Sequence, residues 1–255
     1  MPQSICQAEM VCYGMVLYPT LFERSMHSMM APPKAPSHRT IKGAQRVQEL
    51  IAVAAEQFLE NGFDAVAVDN LIARVGGSRR NVYDYFGGKE GLFKAAMLHV
   101  STEMAKPLDE FRIEGLEIEE VLPAFGRQLV RTALSPQTLA VHRLLTNEGR
   151  RFPEVAQAML AASYLKVLDK LAVWIAAHQA SPTSKLNPDI SPAVLAEQFM
   201  SMTSSDVKLR AIVGLVHPPL SDTAIDKIVM SAVNTFLYGA TARPALPRSS
   251  SNPNE

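Results

Sequence analysis

The stretch Phe63–Phe93, FDAVAVDNLIARVGGSRRNVYDYFGGKEGLF, decides the fold of this chain. Val68, Leu71, Ile72 and Val75 fall on one helical face, and Gly76-Gly77 stops that helix. Ser78 is placed to cap a second short helix by accepting a hydrogen bond from a free amide of its first turn. In that second helix Val82 and Phe86 stand one turn apart and point inward, and Gly87-Gly88 ends it. Two short helices joined by a tight glycine turn make a helix-turn-helix, whose second helix lies in the major groove of DNA. With Val82 and Phe86 inside, the outer face offers Arg79, Arg80, Asn81, Tyr83 and Tyr85. Arginine can grip guanine O6 and N7 with two hydrogen bonds, asparagine can pair with adenine, and tyrosine hydroxyls suit phosphates.

Upstream, Val47, Leu50, Ile51, Ala54, Ala55, Phe58 and Leu59 form the apolar stripe of a first helix that Asn61-Gly62 terminates. Downstream, a long helix begins near Lys89 with Leu92, Phe93, Ala96, Met97, Val100 and Met104 as its stripe. Further helices are expected over 118–134, 136–150, 153–180, 191–214 and 221–240, with Pro136, Pro153 and Pro192 in first turns. No strand is expected. The fold class is therefore all-α, about nine helices in all. A three-helix unit over 39–100 precedes a larger helical bundle over 101–242, and residues 1–38 and 243–255 read as a disordered extension and tail.

Composition narrows the function classes. Among 255 residues there are 25 basic and 25 acidic side chains, so net charge gives no argument for a nucleic-acid partner. Its distribution does. From Lys34 to Gln48 the charged residues are Lys34, Arg39, Lys42 and Arg46, with no acid until Glu49, and Arg74, Arg79, Arg80 and Lys89 stand against Asp84 alone between residues 74 and 89. The segment 101–120 is acidic, including Glu117, Glu119 and Glu120 at a helix start. The pattern predicts one basic end for phosphate contacts. Two cysteines, Cys6 and Cys12, exclude a disulfide scaffold and a cysteine-rich zinc site. The histidines, among them His99, His142, His178 and His217, show no metal-ligand spacing, so no metal and no cofactor is expected. No catalytic motif appears: no G-x-S-x-G elbow, Walker loop or G-x-G-x-x-G. No run is long enough for a membrane span. The uncharged stretch 10–22 lacks a preceding basic residue and is interrupted by Gly14 and Pro19, so the cytoplasm is the expected location.

The block Gly76-Gly77-Ser78, Val82-Tyr83-Asp84-Tyr85-Phe86 and Lys89-Glu90-Gly91-Leu92-Phe93 resembles the DNA-binding domain of TetR-family regulators. Ser135-Pro136-Gln137, Arg143-Leu144, Glu148, Arg151-Phe152-Pro153-Glu154, Ala196-Glu197-Gln198-Phe199, Asp206 and Arg210 resemble the C-terminal domain of AefR-like TetR repressors. The resemblance implies a homodimer on a palindromic double-stranded DNA operator, paired through helices 191–214 and 221–240 and regulated by a small ligand in the bundle. It places the DNA contacts on Ser78, Arg79, Arg80, Asn81, Tyr83, Tyr85 and Lys89, with Arg39, Lys42 and Arg46 near the backbone. Three positions depart from the family pattern. Ala67-Val68 replaces the usual Ser or Thr before the helix that carries Leu71 and Ile72, Gly77 an apolar turn residue, and Arg80 a small one.

A largely apolar ligand needs an apolar pocket with a few polar groups, and Phe125, Leu129, His142, Leu145, Met159, Trp174 and Phe199 are the candidates to line it. The competing class is a helical small-molecule carrier or enzyme whose helix-turn-helix is only structural. It would need a His/Asp/Glu cluster converging on that pocket.

Overall fold

The computed structural model describes residues 38–113, 117–182 and 184–239, with side chains from Gly43 onward. The chain divides into two units at Ile41 and Lys42, and the account below concerns Lys42–Glu255. The expectations for Lys34, Cys6, Cys12, the N-terminal extension, the C-terminal tail and the side chains of Arg39 and Lys42 lie outside the described residues.

Among the described residues every regular element is helical: α1 (His38–Ala65), α2 (Val68–Val75), α3 (Arg79–Phe86), α4 (Lys89–Asp109), α5 (Ile118–Ala133), α6 (Pro136–Glu148), α7 (Pro153–Leu160), α8 (Lys166–Gln179), α9 (Pro192–Ile212) and α10 (Asp222–Tyr238). A π-helical turn, Ala161–Leu165, joins α7 to α8 in one rod. Counted as rods, the described residues hold nine helices. The expected single helix over 153–180 is thus interrupted by a wide turn, whose extra residue leaves no trace in the apolar spacing.

Local chemistry sets the helix starts. Ser78, Ser135, Ser191 and Ser221 each accept a hydrogen bond from the amide three residues on, over 3.2 to 3.4 Å. Proline follows the cap in α6 and α9, where its missing N–H is not needed. Ala67, before α2, makes no side-chain cap. Gly62, at φ 76°, breaks helical geometry inside α1, at the expected stop. The turn from α2 to α3 runs through Gly76 at φ 83° and Gly77 at φ 128°, conformations that explain why the family's apolar turn residue is absent here.

Two apolar clusters organise the packing. One is built by α1 to α3 and the first half of α4, through Phe58, Leu71, Val82, Leu92 and Met97. It also takes in Val141 and Leu144 from α6 and Val155 and Met159 from α7, with Phe152 just before α7. The other, around Leu122, Phe125, Leu171, Phe199 and Val229, fills the bundle of α5, α8, α9 and α10. Helix α4 belongs to both, contributing Phe93 and Val100 to the first and Leu108 to the second. Its C-terminal end is held by α8. Lys166 pairs with Asp109 at 2.7 Å, and Lys170 donates to the carbonyls of Leu108, at 3.2 Å, and Asp109. At its N-terminal end a Cβ on Gly91 would lie 1.7 Å from the carbonyl oxygen of Phe86. Only glycine permits that approach, so the angle between α3 and α4 depends on it.

Candidate functional site

Helix α3 stands on α2 through Val82, which is buried, while Phe86 is only half-buried against the same cluster. Its outer face presents Arg79, Arg80, Asn81, Tyr83 and Tyr85 to solvent, the two tyrosines 66% and 64% exposed. Arg46 of α1 lines a shallow groove with Asn81 and Tyr85, so the structure brings these three together.

Two cations of this face are already paired. The Nε and Nη2 atoms of Arg79 donate to the two carboxylate oxygens of Asp69 on α2, and Arg80 lies 3.6 Å from Asp84 one turn on. The Asp69 hydrogen bond raises Arg79, and the guanidinium holds the Asp69 carboxyl below its ordinary range. The face is therefore less positive than the count over residues 74–89 implied, because Asp69 falls just outside that window.

Lys89 is placed differently from the rest. Its ammonium lies 4.5 Å from the Phe63 ring centroid and donates to the Asp64 carbonyl at 3.2 Å. Arg151 approaches the same ring at 5.0 Å and bonds both oxygens of Asp64 over 2.8 and 2.9 Å. Phe152 packs on Phe63 at 4.7 Å and on Phe93 at 5.2 Å. Lys89 thus joins a cation–π and ion-pair cluster that ties α1 to α4 and α7, rather than the outer face of α3.

The second feature is a cavity of about 340 Å³, within the range of small-molecule sites. Its wall comes from Ser101, Met104 and Leu108 on α4, from α5 and α6, from Met159, Ser163 and Tyr164 along the α7–π segment, and from Ser204 and Lys208 on α9. Of the candidate lining residues, Leu129, His142, Leu145 and Met159 are in this wall. Phe125, Trp174 and Phe199 are not. Phe125 packs edge-on to Phe111 and Phe199 edge-on to Phe236 in the bundle core, and Trp174 stacks on His178 at 5.6 Å. Large aromatics at helical spacing serve core and pocket alike, and only the helix crossings decide between them.

Sequence reasoning missed Ser101, Tyr164 and Lys208. A signal existed for Lys208: it continues the phase of Met200 and Ser204, both buried, at intervals of four. Burial pushes His142 down to about 4, with the Lys208 charge adding to the effect, so its imidazole is neutral at pH 7. Burial likewise lowers Lys208 and raises Tyr164, the latter aided by Glu197. Lys208 makes no ion pair or hydrogen bond among the described residues. A charge desolvated without a partner destabilises the fold. Lys208→Met, which keeps the stem and removes the charge, is expected to raise the thermal unfolding midpoint by about 2–6 °C; a calorimetric scan checks it, and a lower midpoint would refute the placement of the charge.

Among the described residues no group of three or more His, Cys, Asp or Glu is placed to hold a metal ion, and no helix is long and apolar enough to cross a membrane. The described residues thus combine a helix-turn-helix, the architecture of a DNA-binding regulator, with a helical bundle that walls a cavity. Residues 50–96 match the family model of bacterial regulatory proteins of the tetR family, and residues 120–239 match that of the AefR-like transcriptional repressor C-terminal domain. The chain belongs to the TetR family.

Solved structures agree on the fold. A TetR-family regulator from Mesorhizobium loti is 20% identical, with a TM-score of 0.68 over 77% of this chain and 96% of that one. The flavonoid-responsive regulator FrrA is 26% identical, with a TM-score of 0.65 over 76% and 96%. A regulator from Pseudomonas syringae is 24% identical, with a TM-score of 0.58 over 76% and 95%. No curated protein sequence matches the chain.

Proposed function

We propose that this chain is a homodimeric, ligand-responsive repressor, which reads a palindromic operator with α3 and leaves it when a small molecule enters the cavity. The observation that carries this is structural sharing: α4 and α7 form the cavity wall and also complete the core on which the recognition helix stands. A ligand that fits only one arrangement of α4 and α7 would bias the spacing of two recognition helices in a dimer. It must bind the two states with different affinity for this to work.

The DNA-binding head spans 39–100 and the ligand and dimerisation bundle 101–242. In the head, Ser78, Arg79, Arg80, Asn81, Tyr83 and Tyr85 meet bases and phosphates, and Arg39, Lys42 and Arg46 lie along the backbone. Lys89, drawn to Phe63 and Asp64, supports the head from behind. For the dimer, α9 is apolar on both sides. Leu195, Phe199, Met200 and Val207 are buried, while Met202, Leu209 and Val213 are exposed. On α10, Met230 and Tyr238 are exposed as well. Exposed apolar rows of this kind mark an interface, and α9 and α10 would pair with their copies about a two-fold axis. Operator binding makes the cytoplasm the place of action, and the family's members are regulators rather than enzymes. FrrA's response to flavonoids supports a largely apolar effector of similar size.

Selection of bound fragments from random duplex DNA tests the reading. Enrichment of a palindrome is expected, with half-sites about 34–36 Å apart or a multiple of that and affinity falling steeply with salt. Enrichment of no palindrome would overturn it.

A further inference from the structure

The polar groups left free in the cavity share one character. Ser163 and Ser204 donate their hydroxyl protons to the carbonyls of Met159 and Met200 over 2.7 and 2.9 Å. Thr138 accepts from Ser135 at 2.9 Å. Thr132, Tyr164, Ser201 and Ser205 add hydroxyls to the wall, and three groups stand apart: Lys208 on α9, the one cation of the lining, His142 on α6, and the hydroxyl of Ser101 on α4, which is fully buried and has no hydrogen-bond partner. All three can donate, and one is a cation. No aspartate or glutamate lines the cavity. The neighbouring acid Asp206 pairs with Arg210 at 3.5 Å, with side chains exposed to solvent, and Glu197 acts on Tyr164. The rest of the wall is mostly Leu, Met, Val and Ala.

A buried donor without an acceptor is unfavourable, and a half-buried cation facing no anion is poorly solvated. Among the described residues no acceptor meets Ser101 and no anion meets Lys208. A ligand that brings an acceptor, a negative charge and an apolar body matches all three features of the wall.

We propose that the effector is an amphipathic weak acid, whose apolar part fills the cavity and whose ionised oxygen group, carboxylate or phenolate, is held by Lys208 and His142, with Ser101 as a further donor from α4. This rests on the reading of the cavity as the effector site. The anion would meet the Lys208 charge and the Ser101 hydroxyl, neither of which any described side chain meets. Its contact with Ser101 falls on α4, the helix shared with the recognition head. Of the two sources of the charge, a carboxylate is ionised at neutral pH by itself, whereas a phenol needs the adjacent cation to ionise.

The test uses the full chain and two fluorescent probes with one aromatic body, anionic anilinonaphthalene sulfonate and neutral N-phenylnaphthylamine. Both are expected to bind once per chain, the anion at least about ten-fold tighter. In Lys208→Met that preference should fall to about parity while the neutral probe binds as before, which also shows that the variant is folded. Equal binding of the two probes to the wild type, or an undiminished preference in Lys208→Met, overturns the anion inference and leaves the cavity reading intact. Failure of both probes to bind overturns the cavity reading and this inference with it. Displacement of the neutral probe by naphthoate or by naphthol, but weakly by methyl naphthoate, then identifies a carboxylate or a phenolate as the preferred group; displacement by methyl naphthoate as strong as by either acid counts against the inference.

Discussion

Leu209→Glu is expected to abolish dimerisation and, with it, operator binding. Leu209 is 60% exposed in the single chain, as is Val213 one turn on, and Met202 continues the row two turns before. The opposite side of α9 is packed into the bundle through Phe199, Thr203 and Val207. The substitution therefore leaves the protomer's own core untouched and changes only what a partner would meet. A two-fold interface receives the new carboxylate twice, once from each copy. Burying an unpaired charge in an apolar contact costs several kcal/mol each time, on the order of the whole stability of a modest interface. A monomer keeps one recognition helix and loses the effective concentration that joins the second half-site, worth about a hundred- to ten-thousand-fold in affinity. Analytical ultracentrifugation and a gel-shift titration measure the two effects, and an unchanged helical circular-dichroism spectrum excludes unfolding. A variant that stays dimeric and binds DNA as before would remove α9 from the interface.

How much of this was legible beforehand differs by level. The helices were legible because their signals are local. Ser78 acts on the amide three residues away, and Pro136, Pro153 and Pro192 announce first turns. The expected spans 118–134 and 136–150 correspond to Ile118–Ala133 and Pro136–Glu148. What binds the rods to one another was not legible. Arg131 reaches Asp222 over 2.8 Å, and Arg151 reaches Asp64 across 87 positions of chain. An ion pair at such a separation has no periodic signature. Its partners look like ordinary surface residues until the helices cross.

The recognition helix was readable for the same local reason, down to the Ser78 cap and the outward side chains. The cavity was readable only in part. Leu129, His142, Leu145 and Met159 line it because they lie where α5, α6 and α7 diverge. Phe125 and Phe199 share their periodicity yet sit where α5, α9 and α10 close on one another. Periodicity tells which face of a helix points inward, but a void is a property of several faces at once. Ser101 looks unremarkable in sequence because a single Ser on a helix is normally solvated, and the phase that Lys208 shares with Met200 and Ser204 marks a face without marking a void. Their meaning comes from burial without a partner.

Arg79→Ala is expected to weaken binding to the selected operator by about 30-fold to ten-thousand-fold, since both half-sites lose a bidentate contact. The geometry sharpens which contact is lost. Asp69 holds the Nε–Nη2 edge of the guanidinium, which leaves the Nη1–Nη2 edge and its two outward N–H groups to meet guanine O6 and N7. On the proposed reading Asp69 is a positioning residue, which orients the fork without touching a base. Arg79→Lys should not rescue, because an ammonium supplies the charge without the fork. Asp69→Ala separates orientation from charge. It removes a negative group beside the phosphates, so affinity for unrelated duplex should rise, while the freed Arg79 loses its fixed aim. The ratio of operator to non-operator affinity is expected to fall by about ten-fold or more even as total DNA affinity is kept. Competition gel shifts with operator and scrambled duplex read that ratio directly. If Asp69→Ala leaves it unchanged, Arg79 reads no base through that edge and the ion pair serves only to hold α2 against α3.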